Sequence, residues 1–210
     1  MNKKLTVILL SLCMSTLFAQ TYDLKEIDVE LCRIGNEDQQ IRRKLMDAMQ
    51  KQSPDMATLI SEMNVLDSAN QVYVSNLLNN HGWSDELTDC ANRAIFYVIQ
   101  HADQSFQEKY FDLVKEKADR GAIQKSDVAT LEDRILMRMH KPQKYGTQTI
   151  GRKTNDGGDA TYVWPIEDAG KVDEIRATVG LPPINFYIQL IENQLNRKII
   201  WDKNLTVNDF

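Results

Sequence analysis

The segment "HKPQKYGTQTIG", His140 to Gly151, decides the fold because the residue pattern of the chain changes there. Before it, apolar and charged residues alternate at helical spacing, whereas polar residues and glycine within it leave almost nothing to bury. The residues that follow read as strand, glycine turn and strand, which predicts a hairpin. We therefore predict a mainly α protein, a single multi-helix domain with a small β-hairpin after the sixth helix.

Capping residues and glycines set the predicted helix ends. Gly35 is expected to end the first helix, and Ser84 to begin the fourth. The predicted helices before the hairpin span residues 23–34, 36–50, 53–80, 84–102, 104–120 and 126–140. Two more helices are predicted after it, at 168–179 and 183–196.

The N-terminal stretch "MNKKLTVILLSLCMSTLFAQ" has the layout of a secretory signal, two lysines followed by an apolar run and then small and polar residues. The run is shorter than the roughly 20 apolar residues that span a bilayer. We predict a signal peptide at 1–19, cleavage after Ala19 and export to the periplasm or the extracellular space. Residues 20–200 then form the helical domain and 201–210 a C-terminal tail.

Charge and hydropathy exclude two classes of partner. The 25 basic and 30 acidic residues are interspersed, and the net charge of −5 would repel a phosphate backbone. No stretch after the signal is apolar enough to cross a membrane. The expected partner is a small polar ligand of unknown identity or a cell-envelope component, with no nucleic acid, no membrane span and no cofactor.

Two cysteines, Cys32 and Cys90, remain after the predicted cleavage. Export permits a disulfide between them, but two buried free thiols are equally compatible with the sequence. Neither cysteine has a histidine or cysteine partner at metal-ligand spacing, and the three histidines are far apart in the chain. We therefore predict no metal site.

Three polar residues stand where apolar residues are expected. Asp67 and Asn70 interrupt the middle of the apolar stripe of the third helix, and Asp38 lies on the apolar side of the second, one turn before Arg42. A carboxylate in a core costs several kcal/mol unless it is paired or hydrogen-bonded. These residues are predicted either to line a pocket or to form a structural network.

Three further residues lie on or beside core faces of later helices. His101 is at the edge of the apolar stripe of the fourth helix, where a histidine that titrates near neutral pH could serve catalysis or simply satisfy the core. Asp133 and Arg134 belong to the sixth helix, which is apolar nearly all round and so is expected to be central.

The loop after the sixth helix is predicted to complete the same pocket. It has too few apolar groups to be held by burial, so hydrogen bonds from Gln143 and Gln148 are expected to hold it. We expect the loop to fold over the ends of the third and fourth helices, with Tyr145 or Gln148 near His101. The alternative is a plain connection whose side chains point to water.

Several short motifs together resemble an uncharacterised bacterial family, catalogued as a domain of unknown function. They are Asp38-Gln39…Arg42, His81-Gly82-Trp83, Gln100-His101-Ala102-Asp103, Asp133-Arg134 and Gln143-Lys144-Tyr145-Gly146-Thr147-Gln148. The segment "PIEDAGKVDEIRATVGLPP" resembles the family's closing segment. One departure from the family pattern is Ser84, because proline is expected after Trp83. The resemblance implies a helical domain found in exported proteins and no established activity.

Two functions remain open on these residues. The favoured one is an exported ligand-binding or structural domain whose pocket holds Asp38, Arg42, Asn70, Arg134, Gln143, Tyr145 and Gln148. The alternative is a hydrolase of a polar substrate such as a glycan or peptide, with Asp67, His101 and Asp133 as catalytic residues. Since no nucleophile motif is present, the hydrolase would act through activated water.

Overall fold

The structure, a computed structural model, describes residues 23–153, 158–195 and 197–210. The predicted signal peptide and its cleavage site lie outside these residues. The helices are α1 (Leu24–Gln50), α2 (Met56–His81), α3 (Asp89–His101), α4 (Gln104–Asp119), α5 (Lys125–Arg138), α6 (Val172–Thr178) and α7 (Ile184–Leu195). The strands are β1 (Thr149–Lys153), β2 (Asp159–Val163) and β3 (Ile199–Ile200). The prediction of a mainly α protein with a small sheet is confirmed.

The first two predicted helices are one helix, α1, so the predicted break at Gly35 is wrong. Gly35 is needed for packing instead. A Cβ built on it would lie 2.9 Å from Cβ and 3.2 Å from Cα of Ala94 in α3. The glycine therefore allows the backbones of α1 and α3 to approach closely.

Helix α3 is the central element, and residues on nearly all its sides are buried. It starts at Asp89 and not at Ser84, because the side chain of Thr88 accepts a hydrogen bond from the backbone N–H of Ala91. Residues 85–87 form turns, and Trp83 before them donates to the buried Asn92 over 2.7 Å. The predicted starts at 126 and 168 also shift, to Lys125 for α5 and Val172 for α6.

Cys32 and Cys90 form a disulfide that joins α1 to α3, with their Cα atoms 5.3 Å apart. Each cysteine lies about one turn from the close contact between Gly35 and Ala94. Of the two states compatible with the sequence, the structure has the disulfide.

The small sheet has the strand order β1-β2-β3. Strands β1 and β2 form the predicted antiparallel hairpin, in which Thr149 pairs with Val163. The short β3 was not predicted and pairs in parallel with β2, Ile199 opposite Thr161. The ring of the last residue, Phe210, packs against Trp164 with ring centroids 5.3 Å apart.

Among the residues that the structure describes, two clusters of buried apolar side chains hold the elements together. The larger one lies among α1 to α5, and the smaller one joins the sheet to α6 and α7. Its buried members are Val163, Val172, Ile184, Ile188 and Ile199. Within the described ranges, no helix combines the length and the apolar character needed to cross a membrane.

Candidate functional site

Polar side chains of α1, α2 and α5 converge on the C-terminal end of α3, where His101 is the last helical residue. Asp38 of α1 is at the centre of this cluster, with a side chain that is only 1% exposed. Its Oδ1 accepts hydrogen bonds from Nδ1 of His101 at 3.0 Å and from Nη2 of Arg42 at 3.0 Å. Its Oδ2 accepts one from Nε2 of Gln39 at 2.9 Å.

Asp38 is held as an anion despite its burial. Burial opposes ionisation, but hydrogen bonds and charges from His101 and Arg42 outweigh it, so the pKa of Asp38 is lowered. Because a carboxylate can only accept, Nδ1 of His101 must carry a hydrogen. The hydrogen bond thus orients the imidazole ring, and Nε2 makes no hydrogen bond among the described residues.

Arg42 links Asp38 to the predicted residues of α2. Its Nη2 also donates to Oδ1 of Asp67 at 2.6 Å. The side chains of Arg42 and Asp67 are 24% and 16% exposed, so this part of the cluster reaches solvent. Asn70, one turn after Asp67, is buried, and its Nδ2 has no hydrogen-bond partner among the described residues. The polar interruption of the α2 stripe therefore lies beside the cluster.

Helix α5 places two arginines at the same end of α3. Arg134 donates from Nη1 to the backbone oxygen of Gln100 at 3.2 Å, and Arg138 to that of Ala102 at 2.8 Å. Guanidinium groups are favourable at a helix C-terminus because the last carbonyls lack partners. Burial lowers the pKa of Arg134, and the positive charges of Arg138 and Arg42 lower it further.

Asp133, the neighbour of Arg134, is fully buried under the loop and anchors it. Its carboxylate accepts hydrogen bonds from the backbone N–H groups of Lys144, Tyr145 and Thr147 at 2.7 to 3.2 Å, and from the Thr147 hydroxyl at 2.9 Å. Burial raises the pKa of Asp133, although these hydrogen bonds oppose the rise. This geometry supports a structural role for Asp133, and its catalytic role stays a prediction.

The two loop glutamines, Gln143 and Gln148, form hydrogen bonds within the loop and to the segments beside it. The fully buried Gln143 donates to the backbone oxygens of Gln148 and Trp164 at 3.1 and 2.6 Å and accepts from the Gln148 N–H at 2.8 Å. Gln148 donates its side-chain N–H to the oxygen of Thr130 at 3.3 Å. The expectation that glutamine hydrogen bonds hold this loop agrees with these contacts.

Tyr145 points toward α5. Its hydroxyl donates to Glu132 over 3.3 Å, and burial together with the charge of Glu132 raises the pKa of Tyr145 to about 12. Among the described residues, no side-chain hydrogen bond joins Tyr145, Gln143 or Gln148 to His101 or Asp67. The pocket shared by the loop and His101 stays a prediction, and the hydrogen-bonded cluster consists of helix residues.

Arg176 is a buried polar residue that the sequence reasoning missed. It donates to the backbone oxygens of Pro182 at 2.6 Å and Tyr145 at 2.5 Å, and its guanidinium lies 4.7 Å from the ring centroid of Tyr187. Its bond to Tyr145 links α6 to the loop. The sequence contained a signal for this burial, because Arg176 shares a helix face with the apolar Val172. Asp67 is singled out by the same kind of pattern.

A cavity of about 350 Å³ lies next to the cluster, in the groove between α1 and α3. Gln39 and Tyr97 line it while contacting the central pair, since Gln39 donates to Asp38 and the Tyr97 ring stacks on His101 at 6.2 Å. Arg43 and Arg93 line the same cavity. A ligand in this groove would therefore be next to the groups that hold Asp38 and His101.

Comparison with known proteins identifies one family. A family model described as "Family of unknown function (DUF6624)" matches residues 25–200, most of the chain. The resemblance inferred from the short motifs is confirmed at the level of the family. Neither a curated protein nor a solved structure matches the chain.

Proposed function

Because the chain belongs to this family of unknown function, we propose a function from its own residues: it is an exported domain that binds a small polar ligand at the C-terminal end of α3. The observation that carries the proposal is the anionic Asp38, buried yet bonded to His101 and Arg42 at the edge of solvent. Binding sites commonly place a few oriented polar groups in this way.

Partial exposure of the cluster distinguishes binding from a purely structural network. A structural network is expected to be sealed and mutually satisfied, because every unpaired polar atom inside a core costs free energy. Here only Asp38 is sealed, whereas the side chains of His101, Arg42 and Asp67 are 16% to 24% exposed. The adjacent groove between α1 and α3 offers space for a ligand.

The disulfide supports the exported location. Disulfides form and persist in oxidising compartments and are rare in the cytosol. The bond between Cys32 and Cys90 links two central helices, so it belongs to the framework of the fold. A structural disulfide accords with the signal peptide predicted at residues 1–19.

A second function, hydrolysis, is favoured by one observation. The hydrogen bond to Asp38 uses Nδ1 of His101 and directs Nε2 away from the carboxylate. An imidazole oriented in this way can accept a proton from water, which then attacks a glycan or peptide bond. Substitution His101→Gln should then lower turnover of such a substrate by about 100-fold or more. Unchanged turnover would exclude His101 as the base.

Titration of the ¹⁵N-labelled protein with sugars, short peptides and small anions tests the binding proposal. Binding at the site should shift the backbone amide signals of Gln100, His101 and Ala102. The variant His101→Gln should weaken binding, whereas His140→Asn, a matched change at an exposed histidine, should not. If no probe shifts these signals, or if binding is unchanged in His101→Gln, the proposed site is wrong.

A further inference from the structure

Arg134 has a guanidinium group that the protein itself pairs incompletely. Nη1 donates to the backbone oxygen of Gln100, but the buried Nε has no hydrogen-bond partner among the described residues. Within the same residues, no carboxylate lies within the 4.0 Å ion-pair distance of Arg134. A cation in this position lacks the partner that buried charges normally have.

The neighbouring arginines do not share this deficit. Arg42 is balanced by two carboxylates, those of Asp38 and Asp67. Arg138 is exposed and donates to the oxygen of Ala102, so its charge is in contact with solvent. Of the three guanidinium groups at this end of α3, Arg134 is the partly buried one without a negative partner among the described residues.

The end of α3 compensates Arg134 only in part. The partial negative charge at a helix C-terminus stabilises a cation, but it is smaller than the full charge of a carboxylate. Withdrawing a cation from water without an anionic partner is therefore only partly offset by the helix end. Three more buried polar atoms at this end of α3 have no hydrogen-bond partner among the described residues: Nδ2 of Asn70, and Oε1 of Gln100 and of Gln107. The site is therefore short of hydrogen-bonding groups that an incoming molecule could supply.

We infer that the ligand carries an oxyanion, a carboxylate or phosphate group, and that Arg134 binds it next to His101. This inference rests on the proposed function and names the ligand's chemical class. The planar guanidinium matches a carboxylate or phosphate with two parallel hydrogen bonds, and such charge-assisted pairs are stronger than neutral ones. Arg134 lacks one negatively charged partner, and a neutral sugar cannot supply it.

Calorimetric titration at constant ionic strength tests this inference. The probes are inorganic phosphate, glucuronate as a sugar carboxylate, and glucose as its neutral counterpart, with chloride balancing the salt because exposed charges are screened. The variants are Arg134→Met, which keeps length without charge, Arg134→Lys, which keeps the charge, and Arg33→Gln as a control at an exposed arginine of α1 that does not line the groove.

The wild type should bind phosphate or glucuronate and not glucose. The anion that binds shows whether the ligand's oxyanion is a phosphate or a carboxylate. Affinity should fall at least about tenfold in Arg134→Met, less in Arg134→Lys, and stay unchanged in Arg33→Gln. Without anion, Arg134→Met should unfold at the same or a higher temperature than the wild type, since an unpaired charge is removed.

Other outcomes overturn the inference in distinguishable ways. If Arg134 only caps α3, Arg134→Met lowers the melting temperature and neither anion binds the wild type. If glucose alone binds and shifts the amide signals at the end of α3, the binding proposal stands and the oxyanion is wrong. If Arg134→Met keeps full anion affinity, the anion binds elsewhere and Arg134 has no part in it.

Discussion

His101 donates a hydrogen bond from Nδ1 to Oδ1 of Asp38 over 3.0 Å, although 63 residues separate them in the chain. The bond forms because the last turn of α3 packs against the middle of α1, where Gly35 and the disulfide hold the two helices close. This pairing orients the imidazole ring and holds a buried anion, and the proposed site depends on it.

Replacing Asp38 with Asn should lower the free energy of unfolding by about 3 kcal/mol at neutral pH, because Arg42 and His101 lose an anionic partner. The pKa of Asp38 is lowered in the folded protein, so its contribution exists above the unfolded-state pKa of about 3.9 and is lost as the pH falls through the folded-state pKa. Asp38→Asn should therefore lose less stability on acidification than the wild type.

Urea unfolding at a series of pH values measures both effects. Asp112→Asn is the matched control, since the side chain of Asp112 is 93% exposed. An unfolding free energy in Asp38→Asn equal to that of the control would contradict the assignment of Asp38 as the centre of the cluster.

Asp133→Ala should free the loop. Three backbone N–H groups lose their acceptor, and each unsatisfied buried donor costs about 1–3 kcal/mol, so a loss of at least about 3 kcal/mol is expected. Hydrogen exchange at Lys144, Tyr145 and Thr147 should accelerate more than in Asp119→Ala, a change at an exposed aspartate. A fully stable Asp133→Ala that lost only ligand binding or turnover would contradict the structural role and support the functional role predicted from the sequence.

Gly35→Ala should push α1 away from α3, because the new Cβ would lie 2.9 Å from Cβ and 3.2 Å from Cα of Ala94. Overpacking of this kind costs about 1–3 kcal/mol. Adding Ala94→Gly removes the closest contact and should recover part of the loss, which thermal unfolding of the two single variants and the double variant would measure. Additive losses in the double variant would mean that the two residues do not meet.

Gly146→Ala should destabilise the loop. Gly146 has φ +71°, and a Cβ there would lie 2.7 Å from Cδ1 of the buried Ile184 and 2.8 Å from Cδ1 of Ile166. Strain and overpacking together should cost about 2 kcal/mol or more. Gly151→Ala is the control, since no atom lies within 4 Å of its added Cβ. Equal urea midpoints for the two variants would refute this account.

Export should leave Gln20 at the N-terminus. Intact-mass measurement of the protein recovered from the periplasm or medium should show the loss of residues 1–19 and of two further hydrogens for the disulfide between Cys32 and Cys90. A chain that retains Met1, or that carries a lipid on Cys13, would be incompatible with this processing.

Residue patterns alone predicted most of the fold. Helical periodicity predicted six of the seven α-helices of the described ranges as separate elements and the hairpin after α5, since apolar spacing and capping are local properties. The residue patterns failed at Gly35, because a glycine that allows close contact between two helices looks the same in sequence as a glycine that ends a helix. The two-residue β3 carries too little pattern to be recognised.

For the site, the sequence by itself determined which polar residues stand on apolar faces, namely Asp38, Asp67, Asn70, His101 and Asp133. Only the tertiary structure decided their partners. It joined Asp38 to His101 and Arg42, gave Asp133 to the loop backbone, and left Arg134 without an anion among the described residues. The reason is physical: burial follows from the period of a single helix, whereas a hydrogen bond depends on the positions of two helices to within a few tenths of an ångström.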